Sequence, residues 1–251
     1  MFNKKKNSER LTPARSRDFI GPNLNFAAAE AYKLLRTNLE FSLVEEGKGR
    51  VIGVTSALAG EGKSLTSLNI AYTIAETGKR VLLMEADLRL PTVSQRLNVQ
   101  AKPGLSNLLV GQCSGNDIIQ HSGLLRNLYV VTAGDTPPNP TELLASEPMR
   151  QTVEALRTAF DVIIIDLPPA NVVSDALILS KLVDGVVIVV RQDYCEKKAL
   201  DALVRQLKFT GAKILGFVLT NSDIQKKHYK SYKKDYYYSS YDKAGKEKAA
   251  P

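Results

Sequence analysis

The sequence predicts an open, doubly wound α/β domain with a mostly parallel sheet flanked by helices. Three observations carry that reading. Six short, β-branched apolar runs recur along the chain, and helix-length segments separate most of them. The runs are nearly continuous in hydrophobicity rather than alternating, as strands covered on both faces are. With 251 residues, 44% apolar and 24% charged, the chain has the composition of a globular protein and can bury a substantial core.

Taken in order, residues 26–44 precede the first strand and predict a helix, with Leu34, Leu35, Leu39, Phe41 and Leu43 on it. The predicted strands are Val51–Thr55, Val81–Met84, Leu128–Thr132, Val162–Ile165, Val186–Val190 and Ile214–Leu219. The helix-length intervals between them are what parallel βαβ crossovers require. Thr136–Pro140 reads as a loop, because each proline removes an amide donor and fixes φ. After Ile224 no Leu, Ile, Val, Phe or Met appears, so residues 225–251 cannot form a core and are expected to be a flexible tail. The expected organisation is a basic flexible segment over 1–25, a folded domain over 26–224 and the Tyr/Lys-rich tail over 225–251. No internal repeat is present.

Several classes are excluded. Cys113 and Cys195 lie far apart without CxxC spacing, which argues against a disulfide scaffold or a cysteine zinc site and fits a reducing compartment. No run approaches the ~18 to 20 apolar residues of a membrane helix; the richest, Gly185–Val190, is fenced by Asp184 and Arg191. The basic start is followed by no apolar segment, so signal-peptide secretion is not expected. Net charge is +8, but residues 1–20 hold +4 and residues 225–251 hold +5, leaving the body at −1. A nucleic-acid-binding domain would concentrate positive charge on its folded part, so nucleic acid is not an expected partner. Charged tails of this kind serve solubility, or contact an anionic membrane surface or an acidic partner.

Three blocks carry chemistry. Ala57-Leu-Ala-Gly-Glu-Gly-Lys-Ser64 lies between a predicted strand and a predicted helix and fits GxxxxGK[ST], with Ala57 in place of the first glycine. Gly60 and Gly62 let the backbone curl so that successive N–H groups face phosphate oxygens, and the helix beginning near Lys63 adds its N-terminal dipole. Lys63 would neutralise the β- and γ-phosphates while the Ser64 hydroxyl ligates Mg²⁺. Ala59, Gly60, Glu61, Gly62, Lys63, Ser64 and Leu65 are therefore the expected ATP-binding residues. Asp166, ending the run Val162–Ile165, stands where ligands of such sheets bind and can reach Mg²⁺ directly or through water. Glu85 and Asp87 end another run two residues apart, which puts both carboxylates on one side; they suit a metal and general-base station, or a solvated strand terminus.

In this order the blocks resemble the bacterial tyrosine kinases (BY-kinases) of capsule and exopolysaccharide assembly, where they are the Walker A, Walker A′ and Walker B motifs. The likeness extends to Glu30-Ala-Tyr-Lys33-Leu-Leu-Arg36, similar to the family's E-x-x-R-x-x-R oligomerisation helix, to Pro137–Ser146, and to Asp175 after Walker B. Six of ten tyrosines (Tyr229, Tyr232, Tyr236, Tyr237, Tyr238 and Tyr241) crowd the last stretch, like the family's phosphoacceptor cluster. The resemblance implies a P-loop NTPase of the SIMIBI/MinD-like type. Its implied activity is ATP-dependent protein-tyrosine autophosphorylation, with the tyrosines of one subunit entering a neighbour's site in a ring. Lys63, Glu85, Asp87 and Asp166 would be catalytic, Ser64, Asp87 and Asp166 would hold Mg²⁺, and Glu30, Lys33 and Arg36 would build the ring. A membrane-bound chain-length regulator would recruit the cytoplasmic kinase to the inner face of the plasma membrane and activate it, and a cognate phosphotyrosine phosphatase would reverse it. Asn221 lies where related P-loop proteins hold adenine, though a turn asparagine fits there equally well.

Five positions depart from the family pattern, among them Ala59, which with Ala57 alters only the outer curve of the P-loop. Glu85 stands for the first Walker A′ aspartate, one methylene longer. Lys33 stands for an arginine and loses its bidentate fork. Ala57 replaces glycine, and Leu167 replaces a small polar residue. Two other readings compete. One is a MinD/ParA-like ATPase switch, disfavoured because Leu58 occupies the place of that group's signature lysine. The other is a catalytically weak ATP-binding scaffold, to which Glu85 gives weight.

Overall fold

A computed structural model describes residues 20–43 and 49–222. The chain divides into a unit ending at Thr220 and a second over Asn221–Pro251. The basic segment up to residue 19, the tail over 225–251 and all six clustered tyrosines lie outside the described residues.

A short turn at Gly21–Asn23 leads into α1 (Phe26–Ser42), whose N-cap Asn25 accepts from the Ala28 amide at 2.9 Å, as an asparagine at that position commonly does. There follow β1 (Arg50–Ser56), α2 (Lys63–Ala75), β2 (Val81–Glu85), α3 (Val93–Leu97), α4 (Leu105–Leu109), α5 (Gly115–Ile118), β3 (Gln120–His121) and β4 (Leu128–Val131). The unit closes with α6 (Pro140–Leu144), α7 (Glu147–Ala159), β5 (Val162–Asp166), α8 (Asp175–Leu179), β6 (Gly185–Arg191), α9 (Lys197–Phe209) and β7 (Ile214–Thr220). The strands form one seven-stranded sheet in the order β3-β4-β2-β5-β1-β6-β7. Every pairing is parallel except β3 with β4.

The six predicted runs are six of these strands, and the mostly parallel sheet is the predicted one. The seventh strand, β3, spans two residues and pairs antiparallel with β4, too short to show a period. The loop predicted over 136–140 ends one residue sooner, because Pro140 opens α6 at a first-turn position where its missing N–H has no intrahelical partner anyway.

Two cores flank the sheet. Leu39 and Leu43, the α2 residues Leu68, Ile70 and Ile74, and Val93 bury Val54, Leu83 and Ile164 on one face. On the other, residues of α4 to α9, among them Met149, Val153, Leu203 and Leu207, bury Leu82, Ile163, Ile165 and Ile188. Burial on both faces is why the strands read as unbroken apolar runs. Leu167 belongs to the second core and is fully buried. A Cβ at Gly53 would meet its Cδ1 at 2.9 Å, so the leucine packs where β1 lacks a side chain. Cys113 and Cys195 are free.

Candidate functional site

The site lies at the carboxyl ends of β1, β2 and β5. Register pairs Glu85 with Asp166, so β2 and β5 end level, while β1 pairs Val54 with Asp166 and runs on two residues to Ser56 and the P-loop. Between β1 and α2 the P-loop turns through Gly60 and Gly62, at φ 85° and 96°, a region open to glycine at little cost. Gly62 is the N-cap of α2, so Lys63 and Ser64 form its first turn, where unpaired amides and the helix dipole favour an anion. Ala57 is buried in the core, and its methyl group takes up space that a glycine would leave to neighbouring side chains.

Lys63 is the centre of the cluster. Its Nζ lies 2.9 Å from Asp87 Oδ2, 3.8 Å from Asp166 Oδ2 and 3.4 Å from Ser64 Oγ. Burial alone would lower its pKa, but Asp166 and Asp87 outweigh burial and hold it above the ordinary lysine value. Asp166 is fully buried, which raises its pKa, against Lys63 and the hydroxyls of Ser64 and Ser67. The Ser67 hydroxyl stands 3.1 Å from Asp166 Oδ1 and 2.9 Å from the Lys63 carbonyl. Asp166 Oδ2, by contrast, has no partner within hydrogen-bond distance, its ion-pair contact being Lys63 Nζ at 3.8 Å. A buried carboxylate oxygen without a donor beside a P-loop serine fits a divalent cation. No set of three or more His, Cys, Asp or Glu side chains among the described residues forms a metal cage. Such an ion would therefore draw on Asp87, Asp166, Ser64, nucleotide oxygens and water, as Mg²⁺ commonly does.

Glu85, expected beside Asp87 as a catalytic carboxylate, accepts here from main-chain amides. Its Oε1 accepts from the amides of Thr92 and, at 2.8 Å, Val93, and its Oε2 from the Ala133 amide at 3.3 Å. Burial lifts its pKa to about 7, in spite of these donors and helped by the charge of Asp166. The structure thus brings Asp87 and Asp166 to Lys63 and turns Glu85 towards the start of α3.

The other predicted residues take distinct places. The Glu61 carboxylate turns inward, accepting from the Leu58 amide at 2.8 Å and the Arg191 amide at 3.4 Å, which leaves its main chain to face a phosphate. Leu65 packs against the α1–α2 core. The Ala59 and Gly60 carbonyls accept from Tyr194 Oη at 2.9 Å and Arg191 Nη1 at 3.2 Å, while the Arg191 guanidinium lies 5.3 Å from the centre of the Tyr194 ring. Asn221 directly follows β7 with a left-handed φ of 56°, a conformation asparagine tolerates. On α1, Glu30 and Lys33 pair at 2.8 Å on the surface, whereas Arg36 donates to the Thr73 carbonyl of α2 at 2.9 Å.

Three contributors were missed in the sequence. Ser67 lies one turn beyond Lys63 on the same helix face, and i to i+4 spacing could have found it. Arg96, in the last turn of α3, is partly buried and feels the charges of Asp166 and Glu85, which oppose the lowering of its pKa by burial. Its Nε donates to Thr92 Oγ1 at 3.2 Å. Arg89 holds Asp175 Oδ2 at 3.0 Å and Thr141 Oγ1 at 2.9 Å, tying the Asp87 loop to α8 and α6. Arg96 stands in no recognisable pattern, since α3 is a single short turn, whereas Arg89 lies two residues after Asp87 in the loop before it.

Comparison with known proteins follows the same lines. The family model described as an AAA domain matches residues 49–222. Tyrosine-protein kinase YwqD of Bacillus subtilis is 37% identical over 198 residues, 79% of this chain and 83% of that protein. Among solved structures, the chimerical protein CapA2B2 is 32% identical with a TM-score of 0.76, covering 81% of this chain and 89% of that one. The kinase domain of the Escherichia coli tyrosine kinase ETK is 30% identical with a TM-score of 0.76, covering 88% and 86%. The septum site-determining protein MinD of Pyrococcus horikoshii, solved with Mg-ADP, shares the fold at 24% identity and a TM-score of 0.59, over 70% of this chain and 72% of that one. A P-loop whose lysine bridges two strand-tip aspartates, on a sheet shared with these kinases along most of their length, places this chain in the bacterial tyrosine kinase family.

Proposed function

We propose that this tyrosine-protein kinase phosphorylates its own terminal cluster (Tyr229, Tyr232, Tyr236, Tyr237, Tyr238 and Tyr241) in trans within a ring of copies, and so regulates capsule or exopolysaccharide polymerisation and export. The observation that carries the reading is Lys63 held between Asp87 and Asp166 at the mouth of the P-loop. Bound ATP·Mg²⁺ supplies the γ-phosphoryl group and a compact positive charge against it. The chain's own residues do the rest by positioning and charge neutralisation, the main sources of catalysis in phosphoryl transfer. Lys63 stands ready to exchange its carboxylate partners for phosphate oxygens. Ser64, Asp87 and Asp166 offer oxygens to the cation, and the first amides of α2 face the phosphates.

Self-association has support on α1, where Phe26, Leu34 and Phe41 are 68%, 63% and 77% exposed beside the Glu30–Lys33 pair. Apolar side chains gathered on one exposed helix commonly mark a partner face. Among the described residues no helix is long and apolar enough to cross a membrane, and we assign recruitment to the inner face of the plasma membrane, and activation, to a membrane-bound chain-length regulator. A phosphotyrosine phosphatase would reset the tail. The nucleotide-switch alternative is weakened because Leu58 packs against the core where a switch would present its signature lysine.

Purified protein given ATP·Mg²⁺ and probed for phosphotyrosine tests the reading, beside Lys63→Met and a chain with all six terminal tyrosines changed to Phe. Tyrosine phosphate is expected in the wild type and lost in both variants. ATP consumption without phosphotyrosine overturns the reading in favour of a switch or a scaffold.

A further inference from the structure

We infer that Glu85 is a positioning residue, which ties down the β2–α3 loop so that Asp87 meets Lys63, and that it does not itself receive the proton of the incoming tyrosine. The inference rests on the kinase reading and concerns how the site is held in shape.

Both Glu85 oxygens are already engaged. Oε1 takes two main-chain donors, Thr92 and Val93, and Oε2 takes the amide of Ala133 beyond β4. The residue is 1% exposed, so no acceptor hydroxyl reaches it without first displacing these bonds. Meanwhile the loop it closes is the one that carries Asp87. At its near end the Ala86 amide donates to the Asp166 carbonyl at 2.9 Å. In its middle Asp87 Oδ1 accepts from the Leu90 amide at 3.1 Å, and Arg89 is fixed to Asp175 and Thr141. At its far end Glu85 provides the tether, and Thr92 in turn receives Arg96. Glu85 thus determines where the loop returns to the sheet, and with it the position of Asp87 2.9 Å from Lys63.

The extra methylene of glutamate has a physical reason here. A carboxyl carried on one carbon fewer stops about 1.5 Å short of the same amides. Glutamine, by contrast, keeps a carbonyl oxygen able to take both Thr92 and Val93, and disturbs only the longer bond from Ala133. The two possible roles therefore rank substitutions in opposite order. A tether prefers Gln to Asp; a proton acceptor prefers Asp to Gln.

The test uses the full chain. Phosphotyrosine formation gives kcat and the KM for ATP in wild type, Glu85→Gln and Glu85→Asp, and NMR hydrogen exchange follows the Thr92 and Val93 amides in each. The expected order of kcat is wild type, then Gln, then Asp, with the aspartate variant down by roughly 100-fold, the scale of a 1 Å misplacement. The two amides stay protected in wild type and the glutamine variant and exchange faster in the aspartate variant. The inference is overturned if Glu85→Gln loses on the order of 10²- to 10⁴-fold, the usual cost of removing a general base, while Glu85→Asp equals or exceeds it. A wild-type measurement decides the matter even if a variant does not fold. The Thr92 and Val93 amides should remain protected when Mg²⁺ and a non-hydrolysable ATP analogue are added, and loss of that protection means the carboxylate leaves the loop for the reaction. Persistent phosphotyrosine in Lys63→Met would sink the kinase site and leave the loop result standing.

Discussion

Glu85 and Asp166 end adjacent parallel strands as register partners on one face of the sheet, and both are buried. Glu85 receives three main-chain N–H donors, while one oxygen of Asp166 receives none. Burial weakens both acids, so burial alone does not separate them; the supply of donors does. A buried carboxylate whose lone pairs are filled by the backbone acts as part of the scaffold. One with an oxygen short of donors leans instead on a nearby charge, here Lys63 Nζ at 3.8 Å, and stays open to a further cation. Neighbouring acids on one sheet edge can thus have unrelated roles, and the main chain around them shows which is which.

Asp166→Asn should have the largest effect. Activity should fall by roughly 10²- to 10³-fold, as when one preorganised electrostatic group is removed from an active site. The thermal midpoint of the nucleotide-free protein should fall only modestly, because the amide keeps the Ser67 hydrogen bond and Lys63 keeps Asp87 at 2.9 Å while losing the Asp166 charge. Phosphotyrosine rates and a melting curve on the same preparation check both halves. A drop in stability equal to that of a core polar deletion would place Asp166 with the scaffold acids.

Glu85 supplies a second, smaller test through pH. Its folded pKa is about 7 against an ordinary 4.5, so the folded state binds the proton more tightly than the unfolded chain does. The stability gained is fully present below pH 4.5 and is lost as pH rises through 7, with a total of about 3 kcal/mol. Denaturant titrations of wild type and Glu85→Gln across that window should run close at low pH, where the carboxyl is neutral like the amide, and separate as pH rises through 7, with wild type losing stability. Parallel curves would show that the glutamate does not change its protonation on folding.

Much of this was open to reading in the sequence. Strand runs, the P-loop and the strand-tip acids are local patterns in residue type, and side-chain chemistry at fixed spacing reveals them. The direction of the Glu85 side chain was hidden, because its partners are amides of Thr92, Val93 and Ala133, and every residue but proline carries an amide. Leu167 was equally opaque: its reason is Gly53, more than a hundred residues earlier and on the neighbouring strand. Arg36 illustrates the same limit. The E-x-x-R-x-x-R pattern groups it with Glu30 and Lys33, yet those two pair on the surface while Arg36 binds a carbonyl of the next helix.

The comparison extends, with the smallest expected effect, to the P-loop itself. Its outer carbonyls are occupied as fully as Glu85 is, by Tyr194 on Ala59 and Arg191 on Gly60. If filled groups shape the site and unfilled ones do the chemistry, trimming one of these braces should loosen ATP binding more than it slows transfer. Tyr194→Phe removes a single neutral hydrogen bond, worth about 0.5–1.5 kcal/mol, and leaves the ring under the Arg191 guanidinium. The KM for ATP should then rise by about two- to tenfold, with a smaller fall in kcat, measured by initial-rate phosphotyrosine formation across an ATP titration. A variant that lost kcat while keeping its KM would mean that Tyr194 acts on the reacting groups themselves, and the division between braced and unfilled groups would have to be redrawn at the P-loop.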